Sequence, residues 1–347
     1  MSAGPPGSPS EPTPGPEPPE PPGPPVPPGP PGSSTFSLDN RPAPGLYLAA
    51  WVASGLGVAV LFVASLAQAP ARGLLLLGGL GLLLLGLSAA AGYQLVARRS
   101  RPPGAYHGPS PLILFGIWFG LVNLGAIGLL IMGLEGLDEA GPFLAGVGIQ
   151  TVAYVLVVWL FVVRGGALSW PEMGLPGRTE ARRVLVDAAF AASLMLPVTL
   201  LALVVGGLVA QVLDARPPTV VPTPESTPEL LAVLLAVAIL APIGEELFFR
   251  GFALTAWLRD LGPRAALVRS SVFFAVIHIV GVESTTFGEG LRQALVMMSV
   301  YLPLGFLLGW LFLRRGLVAA TVAHVTYNGI LVVLLALATQ LAPQLNQ

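Results

Sequence analysis

The chain has 347 residues, 54% hydrophobic and only 10% charged, and its mean hydropathy is +0.78. A water-soluble domain usually carries about 25% charged residues, so the composition excludes an ordinary soluble globular protein. The net charge of −1 offers nothing to nucleic acid, and the absence of cysteine excludes disulfides, thiolate metal sites and cysteine nucleophiles. All 17 basic residues are arginine, which reads as composition bias rather than function.

Residues 1–45 hold half of the 36 prolines, in runs such as PEPPEPPGPPVPPGPPG. Glycine does not recur every third residue, so the segment is not collagen. It cannot bury enough apolar surface to fold, and a disordered, extended cytoplasmic tail is expected. It has no basic start followed by an apolar core, so it does not read as a signal peptide. A ligand for a proline-recognising domain is the functional alternative to a plain tail.

Apolar stretches of roughly 20 residues, the length that crosses a bilayer, then recur along the chain. They read as spans over 46–68, 73–95, 111–133, 142–163, 184–212, 229–251, 265–283, 291–313 and 317–340. The fold class is therefore all-α: a polytopic membrane bundle of about eight or nine helices. The seventh span is the weakest, because Arg269 interrupts its start. Residues 46–164 form a motif-free first half, 165–183 a cytoplasmic linker that could lie on the membrane surface, and 184–340 the half that holds the chemistry. Gly116 with Gly120, and Gly305 with Gly309, are small-residue pairs that let helices approach closely. The glycine-rich run GGLGLLLLG has no strand or helix start around it and carries no nucleotide-binding signal.

Arginines in the connections set the orientation. Arg98, Arg99 and Arg101 follow span two; Arg164, Arg178, Arg182 and Arg183 follow span four. Arg259 and Arg264 follow span six, and Arg314 and Arg315 follow span eight. The alternate connections EGLDEAG, DARPPTVVPTPESTPE and ESTTFGEG are poor in arginine. The arginine-bearing side is the cytoplasmic one, which puts the N-terminus in the cytoplasm and the C-terminus outside.

An ionisable group inside a span costs on the order of 2.5–3.5 kcal/mol on insertion scales, so each needs a partner or a purpose. Three clusters stand out, all in the second half. Glu246 and Arg250 are four apart and share a helix face, whereas Glu245 points about 100° away and is left without that partner. His278 follows Phe274 by one turn, and His324 and Asn328 project side by side. The third histidine, His107, lies in the arginine-rich loop and reads as solvated. One buried histidine is ordinarily a packed, hydrogen-bonded residue, and the Glu246–Arg250 pair alone could be a clasp. Two histidines, an asparagine and a free glutamate in one half of a bundle point together to a site. At 1.5 Å per residue Glu245 lies about 9 Å, and His324 about 10 Å, from the cytoplasmic ends of their spans. His278 falls near 20 Å if its span starts at 265, and at about 13 Å if it starts after Arg269.

EELFFR (245–250), FAVIH (274–278) and HVTYN (324–328) fit the patterns EExxxR, FxxxH and HxxxN. In order and spacing they resemble the CPBP family (also called Abi), the CAAX-protease and bacteriocin-processing intramembrane endopeptidases, over roughly 229–335. The resemblance implies that Glu245 and His278 activate the attacking water, and that His324 and Asn328 stabilise the oxyanion. It implies that Glu246 and Arg250 support the first motif, and that Phe274 lines the pocket. A base beside water and donors aimed at developing negative charge are what peptide hydrolysis requires. Glu245, His278 and His324 could equally make a two-histidine, one-carboxylate zinc site. The zinc helix motif HExxH is absent, and a metal-free glutamate mechanism is favoured over a metallopeptidase. Expected partners are the bilayer and a peptide or lipidated protein substrate, either a CAAX-type C-terminal tail or a bacteriocin or leader peptide.

Other classes fit less well. A rhomboid-like serine needs GxSG, and the nearest match, VASG (52–55), lacks the first glycine. A presenilin-like pair of aspartates is missing, because Asp187 and Asp214 sit at span ends. A proton-coupled transporter would carry repeated spans with polar groups in both halves, and no repeat is visible. A non-catalytic scaffold or immunity protein would tolerate loss of Glu245.

Overall fold

The computed structural model describes residues 37–38, 41–68, 71–131, 140–175, 181–215, 221–279 and 286–345. The chain divides into two compact units, residues 1–40 and 41–347. Of the first only Ser37 and Leu38 are described, so the expected proline-rich tail lies almost wholly outside the described residues.

In the second unit the only regular elements among the described residues are helices. They are α1 (Pro44–Leu66), α2 (Ala71–Ala97), α3 (Pro111–Ile131), α4 (Ala140–Val163), α5 (Ala181–Leu213), α6 (Thr227–Leu261) and α7 (Pro263–Ile279). The last element, Phe287–Leu345, breaks at Gly316 into α8 (287–315) and α9 (317–345). Gly316 has φ of 83°, a left-handed conformation that other residues adopt only with strain. Lipid cannot satisfy backbone polar groups, so apolar runs of this length fold as helices. Seven of the described helices are long and apolar enough to cross a membrane, with Phe287–Thr339 as one of them. The chain is an integral membrane protein. Its α7 has 17 residues and falls short of that length, in line with the weak seventh span.

One boundary differs from expectation in a way that matters. The sixth span does not stop at 251; α6 continues to Leu261 and turns at Gly262 (φ 76°) into Pro263. The helix continues because its added turns are packed rather than solvated: Phe252, Ala253, Leu254 and Trp257 are all buried.

The arginine-bearing connections meet at one end of the bundle. Arg101, after α2, contacts both oxygens of Asp260 at 3.1 Å. Arg259, near the end of α6, reaches Glu172 of the α4–α5 linker at 2.5 Å. The Leu317 N–H donates to the Gly174 carbonyl (3.2 Å), joining the same linker to the α8–α9 break. Arg315 then binds Asp187 of α5 at 2.5 Å and lies 4.0 Å over the Phe190 ring. Much of the linker is exposed, but part of it is anchored in the bundle. Ala167, Leu168 and Met173 are buried in the core, because these apolar side chains find cover beneath α6 and the start of α9.

That core is aromatic. Phe248, Phe249 and Phe252 of α6 pack with Phe115 and Trp118 of α3, Tyr154 of α4 and Phe274 of α7. The Trp118 and Tyr154 rings stack at 4.3 Å. A second cluster joins α5 to α8 and α9 through Met195, Leu308, Leu311 and Ala323. Gly305 lets α8 approach α7: a Cβ there would sit 3.1 Å from the Ser271 carbonyl oxygen. In lipid such contacts do what the hydrophobic effect does in water.

The Ser169 hydroxyl and backbone N–H, followed by Arg259, hold the Glu172 carboxyl down from 4.5 to about 2. A depressed carboxyl contributes stability that is present above its unfolded value and lost as pH falls through the folded one. Glu172 is 47% exposed, so the contribution is at most about 1 kcal/mol. The Tm of the wild type should fall between pH 4.5 and about 2, and Glu172→Gln should flatten that decline. Parallel Tm–pH curves for the two proteins would refute the linker clasp.

Candidate active site

The site is built on a distorted stretch of α6. Residues Leu234–Leu240 and Leu247–Leu254 are π-helical, and one α-helical segment, Ala241–Glu246, lies between them. Such bulges are rare and concentrate at functional sites. Pro242 supplies part of the cause. In a π turn the Val237 carbonyl would accept from the N–H five residues on, and at that place stands proline, which has none. The Asn328 side chain of α9 donates to that carbonyl instead, at 2.9 Å. The Thr151 hydroxyl of α4 donates to the Leu240 carbonyl at 2.9 Å in the same way.

Glu246 and Arg250 pair as expected, at 2.7 Å, and both are 0% exposed. The same Glu246 oxygen also receives His324 Nδ1 at 2.8 Å. Arg250 in turn donates to the Gly305 carbonyl (3.4 Å) and lies 4.1 Å over the Phe274 ring. Phe274 does not line the pocket, as the resemblance implied. It is fully buried behind the histidines, because its face serves Arg250 and its carbonyl serves His278.

Glu245, His278, His324 and Asn328 come together on one cavity of about 310 Å³. His278 Nδ1 is 2.7 Å from the Phe274 carbonyl, so that nitrogen carries the proton, and its ring stacks on Tyr301 at 4.3 Å. His324 likewise spends Nδ1 on Glu246. Both imidazoles therefore present Nε2 to the cavity, 3.7 and 3.9 Å from the same Glu245 oxygen. These gaps are too long for direct hydrogen bonds. Two ligands of one tetrahedral zinc lie about 3.3 Å apart, given bonds of about 2.0–2.1 Å. The observed spacing is wider, and no group of three His, Asp or Glu among the described residues is disposed to hold a metal ion.

Glu245 lies about 24 Å along α6 from Leu261 and His278 about 22 Å from Pro263, whereas His324, beside the same Glu245 oxygen, lies about 10 Å from the start of α9, so the last turns of α6 and the first of α7 reach beyond the start of α9. The cavity runs away from the arginine-bearing end. Its far wall is Phe143 near the start of α4, Val221 in the α5–α6 connection and Leu335 in the later part of α9. The opposite end is closed by buried Phe248, Phe252, Met173 and Leu317.

Tyr301 and Gln150 also line the cavity, and neither stood out in the sequence. Tyr301 is an unremarked aromatic in an apolar run, and Gln150 sits in the half that has no motif. A polar residue within an apolar span was the one available signal for Gln150.

With this geometry in hand, the chain can be set against known proteins. Residues 227–330 match the family model described as type II CAAX prenyl endopeptidase Rce1-like. The matched segment contains the three motifs and agrees with the CPBP resemblance. Comparison with curated proteins and with solved structures finds no match.

Removing one partner of a buried ion pair costs about 3–5 kcal/mol, because the other charge is stranded. Arg250→Ala should therefore lower the thermal midpoint in detergent sharply, read by tryptophan fluorescence; an unchanged midpoint refutes the clasp. Tyr301→Phe keeps the ring against His278 and should retain peptidase activity, whereas Tyr301→Ala should lower kcat more than it raises KM. Equal activity in Tyr301→Ala and wild type would show that the stack does not position His278.

Proposed function

We propose that the chain is an intramembrane endopeptidase in which a water held by Glu245, His278 and His324 attacks a peptide carbonyl. The convergence of two Nε2 atoms and one carboxylate oxygen on a single spot carries this reading. All three are acceptors in the tautomers that their partners dictate, and the two O–H groups of a water molecule can donate to two of them at a time.

Glu245 takes a proton from the water, aided by His278, and the hydroxide adds to the carbonyl carbon. The oxyanion that forms is stabilised by Asn328 and by His324. Asn328 spends one N–H on Val237 and retains a second for this purpose. His324, held at Nδ1 by Glu246, turns Nε2 toward the same place. Collapse of the tetrahedral adduct breaks the C–N bond, and the proton returns to the leaving nitrogen. Glu246, Arg250 and Phe274 hold these groups in place without touching the substrate.

The absence of an HExxH motif favours a metal-free glutamate mechanism over a zinc one. Two substrate classes suit such a site: a prenylated CAAX-type C-terminal tail, and the leader of a secreted or bacteriocin-like peptide. The test is cleavage of fluorogenic peptides of both classes by detergent-purified protein. Glu245→Gln should lose about 10²–10⁴-fold in rate, the scale of general-base catalysis, while it still inserts and folds. A chelator should leave the wild-type rate unchanged. Full activity in Glu245→Gln sinks the mechanism, and loss of activity on chelation that is restored by zinc replaces it with the metal-dependent one.

A further inference from the structure

A second cavity lies at the arginine-bearing end of the bundle and shares no residue with the candidate active site. Its volume is about 430 Å³, and it forms where the α4–α5 linker, the start of α5 and the α8–α9 break meet. Two glycines let these segments come together. Gly174 and Gly316 take φ of 81° and 83°, and a Cβ on Gly316 would stand 3.3 Å from the Gly174 carbonyl oxygen.

The charged groups that line this cavity are Arg183, Arg314, Arg315 and Asp187, so three positive charges less one negative leave +2. Asp187 spends both oxygens on two of the arginines. Its Oδ1 binds Arg315 at 2.5 Å, and its Oδ2 faces Arg183 at 3.7 Å. The Phe190 ring, 4.0 Å away, helps to fix the Arg315 guanidinium. Arg314 is exposed and has no ion-pair partner among the described residues. A clasp between α5 and the end of α8 needs only Arg315. The other two arginines add repulsion unless an anion joins them. A phosphate fits that role, because guanidinium N–H groups bind its oxygens in pairs. Apolar side chains stand exposed next to these groups: Leu185 and Val186 on α5 and Leu313 at the end of α8. A phosphate that carries acyl chains satisfies both the charge and the apolar surface. A soluble phosphate satisfies only the charge.

We propose that this cavity holds the phosphate of an anionic membrane phospholipid, whose acyl chains run along Leu185, Val186 and Leu313. Basic pockets between membrane helices suit such headgroups. The bound lipid bridges the linker, α5 and the α8–α9 break, so its binding stabilises the folded chain. The site uses none of Glu245, His278, His324 or Asn328, and it stands or falls apart from the peptidase reading.

The full chain is purified in a neutral detergent. Phosphatidylglycerol, phosphatidylcholine or inorganic phosphate is added at equal phosphorus concentration. The thermal midpoint is followed by tryptophan fluorescence, and retained lipid is read by native mass spectrometry. Phosphatidylglycerol should raise the midpoint and stay bound, and the other two should do neither. Arg314→Gln should weaken phosphatidylglycerol binding about fivefold, and Arg183→Gln with Arg314→Gln about 25-fold. Arg99→Gln with Arg264→Gln removes the same charge from exposed arginines outside the cavity and should bind as the wild type does. Equal binding by the wild type and the Arg183→Gln, Arg314→Gln protein overturns the site, as does an equal loss in the charge-matched control. A midpoint raised by inorganic phosphate and abolished by Arg314→Gln overturns the lipid in favour of a soluble anion. If the double variant accumulates poorly, Arg314→Gln alone decides, since its loss strands no partner among the described residues.

Discussion

Everything at the site hangs on one carboxylate that water does not reach. Glu246 lies at the middle of a membrane helix, fully buried, and an isolated charge there is not tolerable. It persists because Arg250 and His324 both bind the same oxygen, at 2.7 and 2.8 Å. Each partner then has further duties. Arg250 reaches the backbone of α8 and the ring of Phe274 on α7, while His324 comes from α9. One buried anion thereby fixes the mutual position of four helices. It also decides which histidine nitrogen faces the cavity, so the structural clasp and the catalytic geometry are a single arrangement.

The second constraint is the widened backbone of α6. Pro242 removes an N–H where a helical carbonyl needs one, and the π segments on either side alter the order of faces around the helix. The freed Val237 carbonyl is taken by Asn328 from α9, and Thr151 from α4 adds a bond to the Leu240 carbonyl. A regular α-helix would hold its own carbonyls and give Asn328 no such anchor. The proline is therefore a positioning element for a residue 86 places later in the chain.

Much of this was legible in the residues, and the reasons are physical. Spans were readable because lipid demands long apolar runs, and α1–α9 follow the expected order. The motif residues were readable because ionisable groups in such runs are costly and therefore conspicuous. What was hidden depended on packing. The added turns of α6 look like an ordinary loop rich in arginine, until Trp257 and Leu254 are seen buried. The linker 165–183 reads from sequence as a connection, and only the hydrogen bond from Leu317 to Gly174 and the burial of Met173 reveal that part of it is anchored to the bundle. Phe274 was readable as belonging with His278 but not as standing behind it. Tyr301 and Gln150 carry no mark in one dimension, since an aromatic and an amide are common in membrane helices. The doubling of His324 onto Glu246 joins residues 78 apart and could not be read from i,i+4 spacing.

The segment that matches the protease family, 227–330, holds every group assigned to the chemistry, yet it does not enclose the cavity. Phe143, Val147 and Gln150 come from α4, Val221 from the connection before α6, and Leu331, Val332 and Leu335 from beyond the match. Much of the wall thus lies outside the part of the chain that holds the groups assigned to the chemistry, although Val237, Ala241 and Tyr301 line the cavity from within it. On the proposed reading, hydrolysis demands fixed distances among Glu245, His278, His324 and Asn328, whereas the outer walls need only apolar shape, which many sequences provide. Substrate choice could then change through α4 and the end of α9 while those four groups stay as they are.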